Sequence, residues 1–240
     1  MPEALSAQSF LTKTERSLGE RLVAWILMPF AFLYWIVTTV RKTLYRTGLF
    51  KQVRLPAKVI SVGGITIGGS GKTPVVIHLA KYLESIGKKT LILTRGYGGE
   101  TPTAVVVRPG DDTTKSNLSD EVRLMSEKTS ATIGVGADRV AAFEKASESS
   151  EFDVVILDDG FQHLRITRDL DIVVLDAAAP FGNGYVLPSG NLRESKASLK
   201  RADIIILTRI SQCENAVEVC ERLANDFGDK AIVSVDYVPD

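Results

Sequence analysis

Residues 59–74 read Val59-Ile60-Ser61-Val62-Gly63-Gly64-Ile65-Thr66-Ile67-Gly68-Gly69-Ser70-Gly71-Lys72-Thr73-Pro74. An apolar, β-branched run ends in a glycine-rich loop, and an amphipathic segment follows. This is the strand–loop–helix layout of a phosphate-binding loop. Glycines let backbone N–H groups approach phosphate oxygens closely. A helix starting near Lys72 adds its positive N-terminal end. In that reading Gly68, Gly69, Ser70, Gly71, Lys72 and Thr73 hold nucleotide phosphates. Lys72 reaches the β- and γ-phosphates, and the Thr73 hydroxyl binds Mg2+. Pro74 fits the first helical turn, where a missing N–H costs nothing. The general pattern has glycine at position 66, and this chain has Thr66.

The segments around this loop extend the pattern. Short apolar strands are expected over 90–94, 103–107, 131–135, 153–157, 171–175, 203–207 and 231–235. Helices are expected over 75–83, after Ser119, over 137–145 and over 214–223. Gly87 is a helix stop. Ser119 is a natural N-cap for the helix that begins Asp120-Glu121. His78 reads as a packing residue. Strands alternating with helices specify an α/β fold, a P-loop NTPase-like, mostly parallel sheet with flanking helices. The strand over 153–157 runs into Asp158-Asp159-Gly160. A carboxylate at the end of a buried strand is what Mg2+ beside a phosphate loop needs, so Asp158 and Asp159 are metal-site candidates with Thr73.

Upstream lies a different kind of segment. Residues 22–40 carry no charge, and Arg21 and Arg41-Lys42 flank them. These nineteen uncharged, mostly apolar residues approach one bilayer span. Trp25, Tyr34 and Trp35 suit an interface, and Pro29 is expected to kink the helix. The reading is an apolar N-terminal membrane helix; a helix buried in a soluble core is the alternative. Residues 41–58 add six cations (Arg41, Lys42, Arg46, Lys51, Arg54 and Lys58) and no acid. Beside an apolar helix these attract anionic headgroups and place that end in the cytoplasm. The division that follows is a membrane-associating helix and basic linker over 1–55 and a P-loop core over 56–240.

Composition sets the outer bounds. The 240 residues are 45% hydrophobic and 24% charged with formal net charge zero. That fits a globular chain and argues against nucleic acid as a partner. The two cysteines, Cys213 and Cys220, are seven apart, which would put them on one face of a helix as buried, unpaired thiols.

Several motifs in order resemble one family. They are Val62 to Pro74, Arg95-Gly96-Tyr97-Gly98-Gly99, Asp120-Glu121, Asp158-Asp159-Gly160-Phe161-Gln162-His163, Phe181-Gly182-Asn183-Gly184, Leu187-Pro188-Ser189-Gly190 and Leu192-Arg193-Glu194. Together they resemble the tetraacyldisaccharide 4'-kinases, the lipid A 4'-kinases of Gram-negative bacteria, over roughly residues 20–210. Thr66 is normal for that family; Gly64 stands where its loop usually has Asn. The resemblance implies transfer of the ATP γ-phosphate to the 4'-hydroxyl of a lipid A disaccharide-1-phosphate precursor, with Mg2+, at the cytoplasmic face of the inner membrane. It implies inner-membrane lipids as partners and Asp120 as the base, with Lys72 and His163 catalytic. It also implies an acceptor cleft lined by Tyr97, Glu121, Arg139, Asn183, Arg193 and Glu194. Family members continue into a C-terminal lobe carrying a His paired with the base Asp. This chain ends at Asp240 and has only His78 and His163. Two other classes remain: another P-loop ATPase or GTPase, and a membrane-associated nucleotide-binding protein without transfer activity. No Asn-Lys-x-Asp guanine motif is present; the nearest strand end is Thr208-Arg209.

Overall fold

The computed structural model describes residues 18–96, 104–112 and 118–236. In chain order these form α1 (Leu18–Arg46), β1 (Lys58–Gly63), α2 (Lys72–Ser85), β2 (Thr90–Thr94) and β3 (Val105–Val107). There follow α3 (Asp120–Lys128), β4 (Thr132–Val135), α4 (Arg139–Ser147), β5 (Val154–Asp158) and β6 (Leu170–Asp176). The last are β7 (Ile204–Thr208), α5 (Ala216–Phe227) and β8 (Ala231–Val235). The expected alternation of strands and helices is present. The chain divides into two compact units. One holds residues 51–63 and 71–172, the other 1–50, 64–70 and 173–240.

In the first unit the strand order is β3-β4-β2-β5-β1. β1 and β2 both pair parallel with β5, and β2 pairs parallel with β4; only β3 runs antiparallel, against β4. β2 and β5 are buried along their whole length, the signature of parallel strands covered on both faces. Leu91, Leu93, Val155, Leu157, Val140 and Phe143 form the centre of one core cluster. Helix boundaries follow local chemistry. α2 ends where the pattern predicts: Gly87 takes φ +74, and the N–H groups of Gly87 and Lys88 donate to the carbonyls of Glu84 and Leu83. α4 begins at Arg139 rather than Ala137. Asp138 is the cap, and its carboxylate accepts from the N–H groups of Val140 and Ala141. Ser119 does sit at the N-cap of α3, but its hydroxyl makes no capping bond. His78 is exposed on α2, so it does not pack.

In the second unit β6, β7 and β8 are neighbours in that order, and β7 and β8 pair parallel. α5 connects them. It starts at Ala216, so Cys213 lies in the preceding turn and does not share a helix face with Cys220. Both thiols are unpaired and half-buried rather than buried.

α1 is longer than expected at both ends and continues through Pro29. At 1.5 Å per residue it is about 44 Å long. Among the described residues it is the one helix that is long and apolar enough to cross a membrane. Its contact with the rest of its unit is a narrow stripe. Ala24 and Ala31 are buried there. The Ala24 carbonyl accepts from the Ser189 hydroxyl, and the Tyr34 hydroxyl donates to the Arg193 carbonyl at 3.0 Å. Lys42 pairs with Glu194 at 3.2 Å. The remaining surface exposes Leu22, Trp25, Ile26, Phe30, Phe32, Leu33 and Val37. The alternative of a core helix is not met within this unit. The segment that grips α1 also reaches the loop after β1. Arg193 N–H donates to the Ile65 carbonyl at 2.6 Å, Ile67 N–H donates to the Asn191 carbonyl at 2.7 Å, and Thr66 and Leu192 form an antiparallel bridge.

Acidic partners are seen for Lys42, Arg54 and Lys58 among the six cations expected to face lipid. Lys42 is on Glu194, and Arg54 and Lys58 both pair with Asp169, at 3.3 and 3.1 Å.

Candidate functional site

The glycine-rich loop is fixed from behind. Gly68 and Gly69 are exposed, and Gly68 takes φ +118, a conformation only glycine holds without cost. Ser70 is buried; its N–H turns to the Gly68 carbonyl at 3.1 Å, and its hydroxyl has no hydrogen-bond partner among the described residues. Outside the loop, the Arg209 guanidinium donates to the Gly69 carbonyl at 2.8 Å and pairs with Asp176. The Thr208 hydroxyl donates to the Ser70 carbonyl at 3.0 Å.

Gly71 follows in the left-handed conformation, φ +76, and caps α2, so Lys72 and Thr73 open the helix. In the unit that carries them, Lys72 Nζ lies 3.8 Å from Asp159 Oδ1. Asp159 itself takes φ +50, an uncommon conformation for a residue other than glycine. Asp158, at the end of β5, is buried and accepts from the Thr94 hydroxyl at 2.8 Å. The turn after it is packed onto β1. A Cβ at Gly63 would lie 2.6 Å from the Phe161 backbone nitrogen, and one at Gly160 would lie 2.8 Å from Ser61 Oγ. Arg168 wires the far side of the turn. It donates to the carbonyls of Gly160 and His163 and pairs with Asp171 at 2.8 Å.

Burial pushes the Asp158 carboxyl up to about 6. The Thr94 hydrogen bond opposes this, Asp159 and Glu121 add to it, and Lys72 opposes it. Asp158, Asp159 and Glu121 therefore act on one buried place, where Lys72 is the opposing charge. That surplus of negative charge fits a divalent cation. Among the described residues no group of three or more acidic, His or Cys side chains is arranged to hold a metal. A cation here would take Thr73 and one or two carboxylates from the protein and the rest from phosphate oxygens, which is how Mg2+ is bound in phosphoryl-transfer sites.

The sign of the Asp158 shift gives a testable pH dependence. A raised carboxyl contributes stability that is complete below pH ~3.8 and is lost as pH rises through about 6. At 1.36 kcal/mol per pH unit, the ionised group costs the nucleotide-free fold on the order of 3 kcal/mol. The melting temperature of Asp158→Asn minus that of the parent should grow as pH is raised from about 4 to 7. A difference that stays constant over that range would exclude ionised Asp158 as the source.

The remaining sequence candidates fall in distinct places. Asp120 and Glu121 are exposed at the first turn of α3. His163 is half-buried in the turn after Asp158, and its N–H donates to the Gly160 carbonyl. Arg139 is buried at the start of α4 and donates to the Ala137 carbonyl at 3.2 Å. Asn183 braces its own loop through the Ser189 carbonyl and Tyr185 N–H. Glu194 is buried. Burial alone would raise its carboxyl, but Arg201 at 2.9 Å and Lys42 outweigh that and hold it below the usual range. Tyr97 lies outside the described residues. Sequence reading missed Thr94, Arg168, Asp176 and the clamp made by Arg209. Only the last left a trace, as the strand end Thr208-Arg209.

The family model of LpxK, tetraacyldisaccharide-1-P 4'-kinase, matches residues 23–236. A tetraacyldisaccharide 4'-kinase of Pelobacter propionicus is 47% identical over 203 residues, 82% of this chain and 55% of its own. That of Pasteurella multocida is 41% identical over 186 residues, 77% of this chain and 57% of its own. The chain thus spans about half the length of the curated relatives it matches. The crystal structure of Aquifex aeolicus LpxK in complex with ATP superposes with TM-score 0.72 at 27% identity, covering 91% of this chain and 85% of that one. The signal recognition particle receptor FtsY of Elizabethkingia anophelis shares the fold at TM-score 0.50 and 15% identity, over 98% of this chain and 78% of that one.

Proposed function

This chain belongs to the tetraacyldisaccharide-1-P 4'-kinase family, and on that premise we propose that it transfers the γ-phosphoryl group of ATP to the 4'-hydroxyl of a lipid A disaccharide-1-phosphate precursor. The observation that carries the reading is the Lys72–Asp159 pair beside buried Asp158. It brings together, in one unit, the cation of the phosphate loop and the carboxylates expected at a metal-nucleotide site.

Phosphoryl transfer asks a protein mostly for positioning and charge neutralisation. Residues 68–73 hold the phosphates. Lys72 offsets the charge that develops between the β- and γ-phosphates. Thr73 with Asp158 or Asp159 would hold Mg2+, which would add to the neutralisation of that charge. Asp120 accepts the proton of the sugar hydroxyl as it attacks. By the family resemblance, His163, Tyr97, Glu121, Arg139, Asn183, Arg193 and Glu194 are the residues we assign to the acceptor. The decisive assay mixes the protein, γ-labelled ATP and the disaccharide-1-phosphate acceptor in detergent micelles. The expected result is label on the lipid. Hydrolysis or binding of ATP without labelled lipid would overturn the kinase reading in favour of a nucleotide-binding protein without transfer activity.

The exposed apolar surface of α1 supports association with the cytoplasmic face of the inner membrane, where a lipid acceptor is met. Replacing Trp25, Phe30 and Leu33 together with serine should abolish flotation with anionic vesicles. It should leave the melting temperature within a few degrees, because these side chains are 73, 60 and 58% exposed. Flotation equal to the parent's would exclude this face as the lipid-contacting one.

A further inference from the structure

Arg209 stands outside the phosphate-handling set named so far, yet it touches the loop. It follows β7 in the left-handed conformation, φ +56. That turn directs its guanidinium to two acceptors, the Gly69 carbonyl and the Asp176 carboxylate. The residue before it, Thr208, is buried, and its one hydroxyl proton is shared between the Ser70 carbonyl at 3.0 Å and the Leu175 carbonyl at 3.3 Å. Two successive carbonyls of the phosphate loop are therefore held by the end of one strand.

The consequence follows from peptide geometry. In a trans peptide unit the C=O of one residue and the N–H of the next point in opposite directions. Fixing the Ser70 carbonyl fixes the Gly71 N–H, and fixing the Gly69 carbonyl fixes the Ser70 N–H, which here is turned to the Gly68 carbonyl at 3.1 Å. A phosphate loop works only when successive N–H groups converge on the anion. Glycine-rich backbone does not hold that arrangement by itself, because glycine has little conformational preference. An arginine suits the task better than a lysine, since its planar fork satisfies two acceptors at once.

We propose that Arg209, braced by Asp176, is a positioning residue that holds the backbone of the phosphate loop in place from outside. The proposal rests on the nucleotide reading given above. Arg209 acts through the backbone of residues 69–71 and does not itself contact phosphate.

The test measures affinity for MgATP and for magnesium tripolyphosphate by calorimetry on the parent, R209Q, R209K and D176N, with melting temperatures. R209Q should weaken both ligands about tenfold and by the same factor, because the loop holds only the phosphates. R209K should fall between, reaching one acceptor instead of two. D176N should also weaken both. If Arg209 touched phosphate directly, D176N would free its charge and tighten both ligands, and the positioning role would be overturned. Weaker MgATP with unchanged tripolyphosphate would overturn it in favour of a contact to the base. Unchanged affinities in R209Q would overturn it outright. Should R209Q fail to fold, R209K and D176N decide by the same criteria. A parent protein that binds neither ligand overturns the nucleotide reading itself, before Arg209 is in question.

Discussion

Lys72→Ala is expected to lower MgATP affinity by at least about a hundredfold, while the protein remains folded. A charge-assisted hydrogen bond lost from a partly buried site costs about 1.5–3 kcal/mol, and each 1.4 kcal/mol is tenfold in affinity. A second effect adds to this. Lys72 is the cation that opposes the raised carboxyl of Asp158, and it lies 3.8 Å from Asp159. Without it, the Asp158 carboxyl loses a cation that opposes its upward shift, and Asp159 loses a partner at 3.8 Å beside the incoming triphosphate. The side chain is 16% exposed and packs at the first turn of α2, where alanine is a strong helix former. Loss of folding is therefore not the expected route. Calorimetry on the variant measures the effect directly, and affinity equal to the parent's would remove the phosphate-loop assignment.

The second large effect is expected at Asp120. Asp120→Asn keeps shape and polarity and deletes the proton acceptor. General-base catalysis contributes roughly 10²–10⁴-fold, so kcat should fall by that factor with MgATP affinity unchanged. The local structure makes this a clean substitution. Asp120 is the first residue of α3 and is exposed, and Asn is tolerated at helix starts. If Asp120 served only the helix terminus, the change would cost about 0.3–1 kcal/mol of stability and leave turnover intact. Parental turnover would thus end the base assignment. Loss of MgATP binding would instead move Asp120 into the metal site. The measurement requires a form of the protein that turns over the lipid acceptor.

Much of this architecture is legible in the residues themselves. The strands were found because β-branched runs such as Val154 to Leu157 are buried on both faces and leave no other reading. Gly71 and Gly87 mark the ends of α2 because only glycine takes their left-handed backbone without strain. Where boundaries moved, a side chain decided. Asp138 captured two N–H groups and shortened α4, a contact that the apolar pattern around it does not encode. α1 exceeded its uncharged core because Lys42 on its flank has a partner at Glu194, some 150 residues later. The carboxylate pair at the end of β5 was visible from its position in the pattern. Arg168 and Arg209 were not, because both act on backbone carbonyls. Such bonds depend on where the chain brings a carbonyl, not on which residue carries it.

The segment 189–194 has a practical bearing on how the protein tolerates redesign. It pairs with residues 65–67 on one side and holds α1 through Ala24, Tyr34 and Lys42 on the other. An N-terminal anchor that merely tethers can be exchanged for any unrelated hydrophobic helix. Here a graft of that kind would strip the Tyr34 and Lys42 contacts from the segment and take one of its ion pairs from buried Glu194. The helix is thus not a modular part. A chimaera would inherit membrane affinity from its new anchor and lose support at the entrance to the phosphate loop.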